Sequence, residues 1–319
     1  MNIIDTNIIP WNDYSSYIKQ VFGSRVQKIS INAGFTCPNR DGSIGTGACI
    51  YCTNKSFSPF YCNEKTSIKE QLEQGIAFFS PKYKTQKYLA YFQSFTNTYD
   101  KIDVLEQKYK EALSVDGVKG LVIATRPDCI DKEKLEMIKS VCKGKYISIE
   151  YGAESTIDKT LNFINRGHTY QQTIDAVNQT YEMGINCGLH LILGLPGENK
   201  KDFLNHAVQI SKLPIKTLKI HQMQVLKGTK LQKIYEQSPN LFYDINLENY
   251  LEIVVEFLEL LNPEIIIERF TSEAPKDMII YPDWQGKKNF EISHIVQNKM
   301  RQKKTQQGKN FKNLTTSNL

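Results

Sequence analysis

Six short runs of β-branched and aromatic residues alternate with stretches of helical periodicity, and this alternation constrains the fold more than any other feature. The runs begin at Val26, Lys87, Gly120, Tyr146, Ile185 and Ile215. Strands that alternate with helices build parallel sheets through right-handed crossovers. The sequence therefore predicts an α/β fold, a partial (β/α)6 TIM-type barrel, whose functional groups gather at the carboxyl ends of the strands.

The segments between the runs carry signals of helix starts. Ser67 precedes Glu70 by three residues, and Thr169 precedes Gln172 by three, which is capping-box spacing. After Ile220 the pattern changes to one long amphipathic stretch followed by the strand-like run "EIIIERF". We therefore divide the chain into an N-terminal extension (1–24), a core barrel (25–225), a small C-terminal α/β addition packed on the barrel (226–285) and a basic, flexible tail (286–319).

The positive charge of the chain is concentrated in that tail. The whole chain has a formal net charge of +6, whereas the stretch from Lys287 onward contains eight Lys or Arg and one Glu, so the remainder is near neutral. A basic polar tail suits an anionic partner such as RNA. A solvated, disordered tail that only aids solubility is the alternative.

The composition also bears on the compartment. The first residues, "MNIIDTNIIPWNDY", show no basic region followed by an apolar run, and no stretch of eighteen apolar residues occurs. We expect a cytoplasmic protein with no membrane partner. Its seven cysteines are an odd number, and clustered cysteines in a reducing compartment indicate metal binding or catalysis.

Three of the cysteines lie on one glycine-rich loop after the first predicted strand, in "FTCPNRDGSIGTGACIYC". The spacing is C-x11-C-x2-C, formed by Cys37, Cys49 and Cys52. Three thiolates are one short of a closed structural site. The residues leave three interpretations: a zinc site completed by Cys62, unligated cysteines, or an iron–sulfur cluster with one iron left open for a ligand.

Several segments together resemble the radical S-adenosylmethionine (SAM) superfamily. They include "FGSRVQKISINAGFTCPNRDGSIGTGACIYCTNKSFSP", "ATRPDCI", "IEYGAESTIDKTLNFINRGHT" and "LHLILGLPGE". Within that superfamily the chain is most similar to the YhcC/YtqA-type subgroup, which is related to the SAM domain of the Elongator catalytic subunit. The resemblance spans roughly residues 10–285.

The resemblance implies a [4Fe-4S] cluster on Cys37, Cys49 and Cys52, with SAM on the fourth iron. Reductive cleavage of SAM would give a 5′-deoxyadenosyl radical that abstracts hydrogen from a substrate. An electron donor of the flavodoxin or ferredoxin type is implied as a partner.

The resemblance also implies roles for residues that would bind SAM. Tyr51 holds the family's aromatic place near the adenine. Ser94, Thr96 and Asn97 stand where relatives carry a Gly-Gly-Glu that holds the SAM amino group, and they offer oxygens instead. Glu154 and Arg166 fall where related enzymes contact SAM, although the two could also pair with each other.

A further set of residues lies at the ends of predicted strands. His190 stands where a relative has an acidic ribose ligand. Arg126, Asp128, Lys219 and His221 are candidate substrate contacts, and a pair of cations such as Arg126 and Lys219 would favour an anionic substrate. Each of them could instead be a satisfied structural residue.

The subgroup is similar to enzymes that modify the wobble uridine of tRNA. This similarity favours a tRNA substrate, with a carboxymethylaminomethyl group converted to an aminomethyl group. Two alternatives stay open: a radical enzyme acting on a small molecule such as a porphyrin or an amino-acid derivative, and a zinc-stabilised RNA-binding module without catalysis.

Overall fold

A computed structural model describes residues 9–53, 59–83 and 85–312. Its centre is a sheet of seven parallel strands in the order β1-β2-β3-β4-β5-β6-β8. The strands of this sheet are β1 (Arg25–Ile31), β2 (Gln86–Phe92), β3 (Val118–Thr125), β4 (Tyr146–Glu154), β5 (Asn186–Leu193), β6 (Thr217–Gln222) and β8 (Ile266–Arg269). The sheet curls into a partial barrel, so the predicted fold class is confirmed.

Helices alternate with these strands and cover the outer face of the sheet. They are α1 (Tyr14–Phe22), α2 (Ile68–Phe79), α3 (Ile102–Ser114), α4 (Lys132–Cys142), α5 (Asp158–Phe163), α6 (Tyr170–Glu182), α7 (Lys200–Ile210), α8 (Lys230–Gln237), α9 (Leu247–Leu260) and α10 (Asn289–Gln302). Both predicted capping boxes form, at Ser67 and at Thr169, and each satisfies backbone N–H groups that the first helical turn leaves unpaired.

Helix α1 lies between the two edge strands of the curled sheet, β1 and β8. The segment before it reaches β8, where the Ile267 N–H donates to the carbonyl of Asn12 at 2.8 Å. Ile18 of α1 packs on Tyr91 and Val122, which face the barrel interior. Because α1 touches both edge strands, it holds them in the curled arrangement that the site requires.

The C-terminal part extends the barrel rather than standing beside it. The predicted run "EIIIERF" forms β8, which pairs in parallel with β6 as the seventh strand. Strands β7 (Val225–Leu226) and β9 (Ile279–Tyr281) form a separate antiparallel pair. In the described ranges we find no helix with the length and apolar run that a membrane crossing requires.

The prediction of a flexible tail from residue 286 is wrong for most of that stretch. Helix α10 buries Ile292, Val296 and Met300 completely, at four-residue intervals that form one apolar stripe. Lys299 and Lys303 form ion pairs with glutamates of α9, Glu248 and Glu252 among them, so part of the tail's charge is already neutralised. Deleting residues 287–319 would therefore disturb the fold and cannot isolate an effect on RNA binding.

We expect Ile292→Ala to lower the free energy of unfolding by about 2–4 kcal/mol, because it leaves a cavity under α10. Phe290 on the same helix is 73% exposed, and Phe290→Ala should change stability by less than about 0.5 kcal/mol. Urea unfolding followed by circular dichroism measures both. If Ile292→Ala were as stable as the unmodified protein, α10 would not be packed as described and the prediction of a flexible tail would hold.

Candidate active site

A cavity opens where the strands of the sheet end, and most of the predicted site residues line it. These are Cys37, Cys49, Tyr51, Cys52, Arg126, Glu154, Arg166, His190, Lys219 and His221. Three other predicted residues, Ser94, Asn97 and Asp128, are not part of its lining. The curl of the sheet thus brings together residues from the loop after β1 and from the ends of β3 to β6.

The cysteine loop is fixed by hydrogen bonds between two asparagines and the backbone. Asn39 is almost fully buried; its side-chain Nδ2 donates to the Asn165 carbonyl, and its backbone carbonyl accepts from the Ala48 N–H at 2.8 Å. Asn165 donates back to the Ala48 carbonyl at 2.7 Å. Both Ala48 and Asn165 have positive φ, so the loop turns sharply before it delivers its last two cysteines to the cavity.

Three nitrogen donors point at the sulfurs of this loop. Arg40 Nη2 lies 3.1 Å from Cys52 Sγ, while Asn39 Nδ2 and Arg166 Nη1 lie 3.6 and 3.8 Å from Cys49 Sγ. Burial raises the pKa of the Cys52 thiol, and the hydrogen bond and charge of Arg40 oppose that rise because a cation favours the thiolate. Hydrogen bonds to sulfur also tune an iron–sulfur cluster. The donor set therefore fits an anionic metal–sulfur group bound by cysteine thiolates.

A single zinc ion does not fit this arrangement. In the parts of the chain that the structure describes, no group of three or more His, Cys, Asp or Glu is suited to one metal ion. Cys62 is absent from the cavity lining and donates to the Ser30 carbonyl at 3.0 Å, while burial raises its pKa to about 12. In an iron–sulfur cluster each cysteine binds a different iron atom, so the three sulfurs can lie farther apart than they would around one metal ion. The zinc interpretation with Cys62 as fourth ligand is therefore not supported.

Tyr51, Glu154 and Arg166 form one wall of the cavity next to the cysteines. Arg166 Nη2 donates to the Gly152 carbonyl at 2.7 Å and lies 3.6 Å from Glu154 Oε1, which is an ion pair but a long one. The Nε of Arg166 is buried without a partner in the described residues. Glu154 has φ of +65° at the end of β4, which turns its side chain out of the strand pattern. These groups keep hydrogen-bonding capacity for a ligand.

Asn97 is placed differently from the prediction. It is fully buried, and its side-chain amide donates to the carbonyls of Phe92 at 3.1 Å and Ala124 at 2.7 Å. It therefore ties the end of β2 to the end of β3. Ser94 is half-buried outside the cavity lining, whereas Thr96 from the same segment lines the cavity. Asn97 Oδ1 is buried without a partner among the described residues, so a role of this segment in holding SAM stays a prediction.

Arg126 and Asp128 bind each other instead of facing the cavity as free charges. The guanidinium donates to both carboxylate oxygens, at 2.9 and 2.7 Å, and to the Arg166 carbonyl at 2.7 Å. Both side chains are almost completely buried. The predicted cationic pair of Arg126 and Lys219 is thus corrected, because the charge of Arg126 is already used within the protein.

Lys219 belongs to an ionic network that crosses the barrel interior. Its Nζ contacts Glu150, Glu268 and the Tyr91 hydroxyl, the last at 2.8 Å. Lys28 of β1 contacts the same two carboxylates at 2.8 and 2.7 Å. The network holds two lysines and two glutamates from four strands, so its formal charge is zero. It joins the two edge strands and forms a polar floor of the cavity, to whose lining Glu150 and Lys219 belong.

The network sets the charge states of its members. Burial alone would raise the pKa of Glu150, but Lys219 and Lys28 outweigh it and hold that pKa well below the usual value. Burial lowers the pKa of Lys219 to about 8, so the amine stays mainly protonated at pH 7. His190 Nε2 lies 2.9 Å from Glu150 Oε2, and burial followed by the charge of Lys219 lowers the pKa of His190. His190 is therefore a neutral ring tied to the network.

Sequence reasoning missed three members of this network, Lys28, Glu150 and Glu268, although a signal exists. Each lies within a run of β-branched residues, as Lys219 does, where a lone charge is costly unless paired. Together with Lys219, these members of the network are two charges of each sign. Balanced charges in the middle of several parallel strands predict a buried network.

Comparison with known proteins identifies the family of this chain. The sequence matches the Radical SAM superfamily over residues 34–210 and the Radical_SAM C-terminal domain over residues 215–302. The chain belongs to the radical SAM superfamily. It is 32% identical to YtqA of Bacillus subtilis over 93% of this chain and 92% of that one, and 32% identical to YhcC of Escherichia coli over 86% and 87%. The predicted subgroup is thereby confirmed.

More distant relatives carry names that concern tRNA. The chain is 25% identical to the tRNA uridine(34) acetyltransferase of Methanocaldococcus jannaschii over 56% of this chain but only 32% of that protein. The solved structure of Methanocaldococcus infernus Elp3 has the same fold, with a TM-score of 0.68 and 17% identity, and the match covers 89% of this chain and 64% of that one. At this identity the structural likeness concerns the fold alone.

The cofactors of this radical SAM enzyme are a [4Fe-4S] cluster and SAM. The residues present fit them: Cys37, Cys49 and Cys52 face one cavity, and Arg40 and Arg166 donate to their sulfurs. These three cysteines would hold the cluster, and the unpartnered donor of Arg166 is available to SAM. When bound, the cofactors supply the reductive cleavage of SAM to a radical that abstracts hydrogen.

Proposed function

We propose that this radical SAM enzyme modifies tRNA at the wobble uridine and converts a carboxymethylaminomethyl side chain to an aminomethyl one. Loss of a hydrogen atom to the SAM-derived radical and of one electron would turn the N–CH2 group into an imine, and the electron supplied for SAM cleavage would thereby be returned. Water would then split the N–C bond and release the two-carbon unit as glyoxylate. The observation that carries the proposal is the sequence likeness to a tRNA uridine(34) acetyltransferase. This chain spans about a third of that protein, so the acetyl transfer itself is not carried over. A uridine side chain is the shared target that we propose.

Within this proposal the residues around the cysteines position SAM. Arg166 would pair with the methionine carboxylate through its free donor, and Glu154 would accept from the ammonium or the ribose hydroxyls. Tyr51 would pack near the adenine. The neutral network of Lys28, Glu150, Lys219 and Glu268 would hold the barrel interior rigid and limit the entry of water.

The cavity also limits how tRNA could bind. It lies at the ends of the strands and inside the curl of the sheet, so a target base would have to leave its stack to reach it. We place the reaction in the cytoplasm, with electrons from a flavodoxin- or ferredoxin-type donor. Since Lys299 and Lys303 of the basic tail are paired with glutamates, phosphate contacts would come from other surfaces as well.

Nucleoside mass spectrometry tests the proposal. In tRNA from cells that lack the gene, we expect the carboxymethylaminomethyl nucleoside to accumulate and the aminomethyl nucleoside to disappear. A gene for the unmodified protein should restore the profile, whereas one for Cys49→Ser should not. Identical profiles with and without the gene would refute a tRNA substrate and favour a small molecule.

A further inference from the structure

Four cations of the cavity lining make a hydrogen bond or an ion pair within the protein, and a fifth makes none among the described residues. Arg40 donates to Cys52, Arg126 pairs with Asp128, and Arg166 donates to the Gly152 carbonyl. Lys219 contacts two glutamates. The guanidinium of Arg269 also lines the cavity, yet it has no hydrogen bond or ion pair anywhere in residues 9–53, 59–83 and 85–312.

Arg269 stands beside a second unsatisfied group. It is the last residue of β8 and is the register partner of Lys219 on β6. His221 follows Lys219 by two residues on β6. The His221 Nε2 is buried without a partner among the described residues. Burial first, and then the charge of Arg269, lowers the pKa of His221 well below its usual value, so this ring is neutral at pH 7. A charged donor and a neutral ring thus face the same part of the cavity.

The charge at this place is not compensated. The network beneath it contains two lysines and two glutamates and is neutral, so Arg269 adds one net positive charge. A half-buried charge without a counterion is costly, and a guanidinium matches the two oxygens of a carboxylate or a phosphate with parallel N–H donors.

We infer that Arg269, with His221 next to it, binds an oxyanion carried by the substrate. The inference rests on the proposed function for the identity of that oxyanion: either the carboxylate of the uridine side chain or a phosphate of the RNA backbone. In both cases the anion is held by β6 and β8, whereas the cysteine loop follows β1. Arg269 would therefore fix the orientation of the substrate relative to the cysteines.

The test compares two anticodon stem-loop RNAs on cluster-loaded protein by fluorescence anisotropy. One RNA carries carboxymethylaminomethyluridine and the other carries aminomethyluridine, which lacks the carboxylate. We expect the unmodified protein to bind the first RNA more tightly, on the order of 10- to 100-fold, the range of charge-assisted hydrogen bonds. Arg269→Gln should remove this preference, and Arg269→Lys should keep part of it because the charge remains.

Lys119→Gln serves as the matched control. Lys119 is an exposed cation near the start of β3, away from the cavity, and its loss should leave the preference intact. Iron content and circular dichroism confirm that Arg269→Gln is folded and loaded. An equal loss of affinity for both RNAs in Arg269→Gln supports a backbone phosphate as the oxyanion. Unchanged binding of both RNAs by Arg269→Gln overturns the inference.

A measurement without RNA separates this inference from the proposed function. Inorganic phosphate, compared with chloride at equal ionic strength, should raise the melting temperature of the unmodified protein but not that of Arg269→Gln. If neither RNA binds and this phosphate effect depends on Arg269, the tRNA function fails and the oxyanion site stands. If RNA binds but neither its binding nor the phosphate effect depends on Arg269, the oxyanion site fails and the tRNA function stands.

Discussion

Cys49→Ser is expected to lose most of its bound iron and to reduce deoxyadenosine formation from SAM by more than about 100-fold. Cys49 is buried at the cavity wall and accepts hydrogen bonds from Asn39 and Arg166, so no other thiol can replace it there. Serine offers a hard oxygen where a soft thiolate is required. Substitution of residues that only hydrogen-bond to metal ligands already lowers metal affinity or activity by about 10- to 100-fold, and loss of a ligand itself should lower them further.

Cys62→Ser is the matched control for this prediction. Cys62 lies outside the cavity lining and donates to the Ser30 carbonyl, a bond that a serine hydroxyl can also make. Iron is measured colorimetrically after anaerobic reconstitution, and deoxyadenosine by chromatography after reduction with dithionite. If Cys49→Ser retained its iron, or if Cys62→Ser lost it, the assignment of the cluster ligands would be wrong.

The features that the sequence predicts well are those with local signals. The strands follow from β-branched runs, two helix starts follow from capping boxes at Ser67 and Thr169, and the cysteine loop follows from its spacing. Each of these signals lies within a few residues of the feature that it predicts. They sufficed for the barrel and for the position of its functional end.

The predictions that failed concern side chains whose actual partners are set by the folded chain. Arg126 looked like a free cation at a strand end, but Asp128 and the distant Arg166 carbonyl satisfy it. The side-chain nitrogen of Asn97 joins two strands, a role that no local pattern in the sequence indicates. The basic composition of the tail predicted a flexible segment, but α10 buries an apolar stripe that begins at Ile292. The residue type at a strand end shows which hydrogen bonds the side chain can make, whereas the tertiary structure determines the partner that it actually has.

Glu150→Gln is expected to lower the free energy of unfolding by about 3–5 kcal/mol at pH 7. The substitution leaves Lys28 and Lys219 buried with one carboxylate, Glu268, between them, and removal of one partner from a buried ion pair has costs of this size. The exposed pair of Glu106 and Lys110 provides the control, since Glu106→Gln should cost no more than about 1 kcal/mol. Urea unfolding of each variant measures the difference.

The pH dependence of that difference has a definite sign. The pKa of Glu150 is held well below its usual value of 4.5 in the folded protein, so its stabilising contribution is complete above pH 4.5 and is lost as the pH falls towards the folded value. Below pH 4.5 the gap between the unmodified protein and Glu150→Gln should shrink by up to about 1.4 kcal/mol for each pH unit, because only the unfolded state of the unmodified protein gains the proton. A gap that stayed constant from pH 7 to about pH 3 would show that Glu150 stabilises the barrel by packing rather than by its charge.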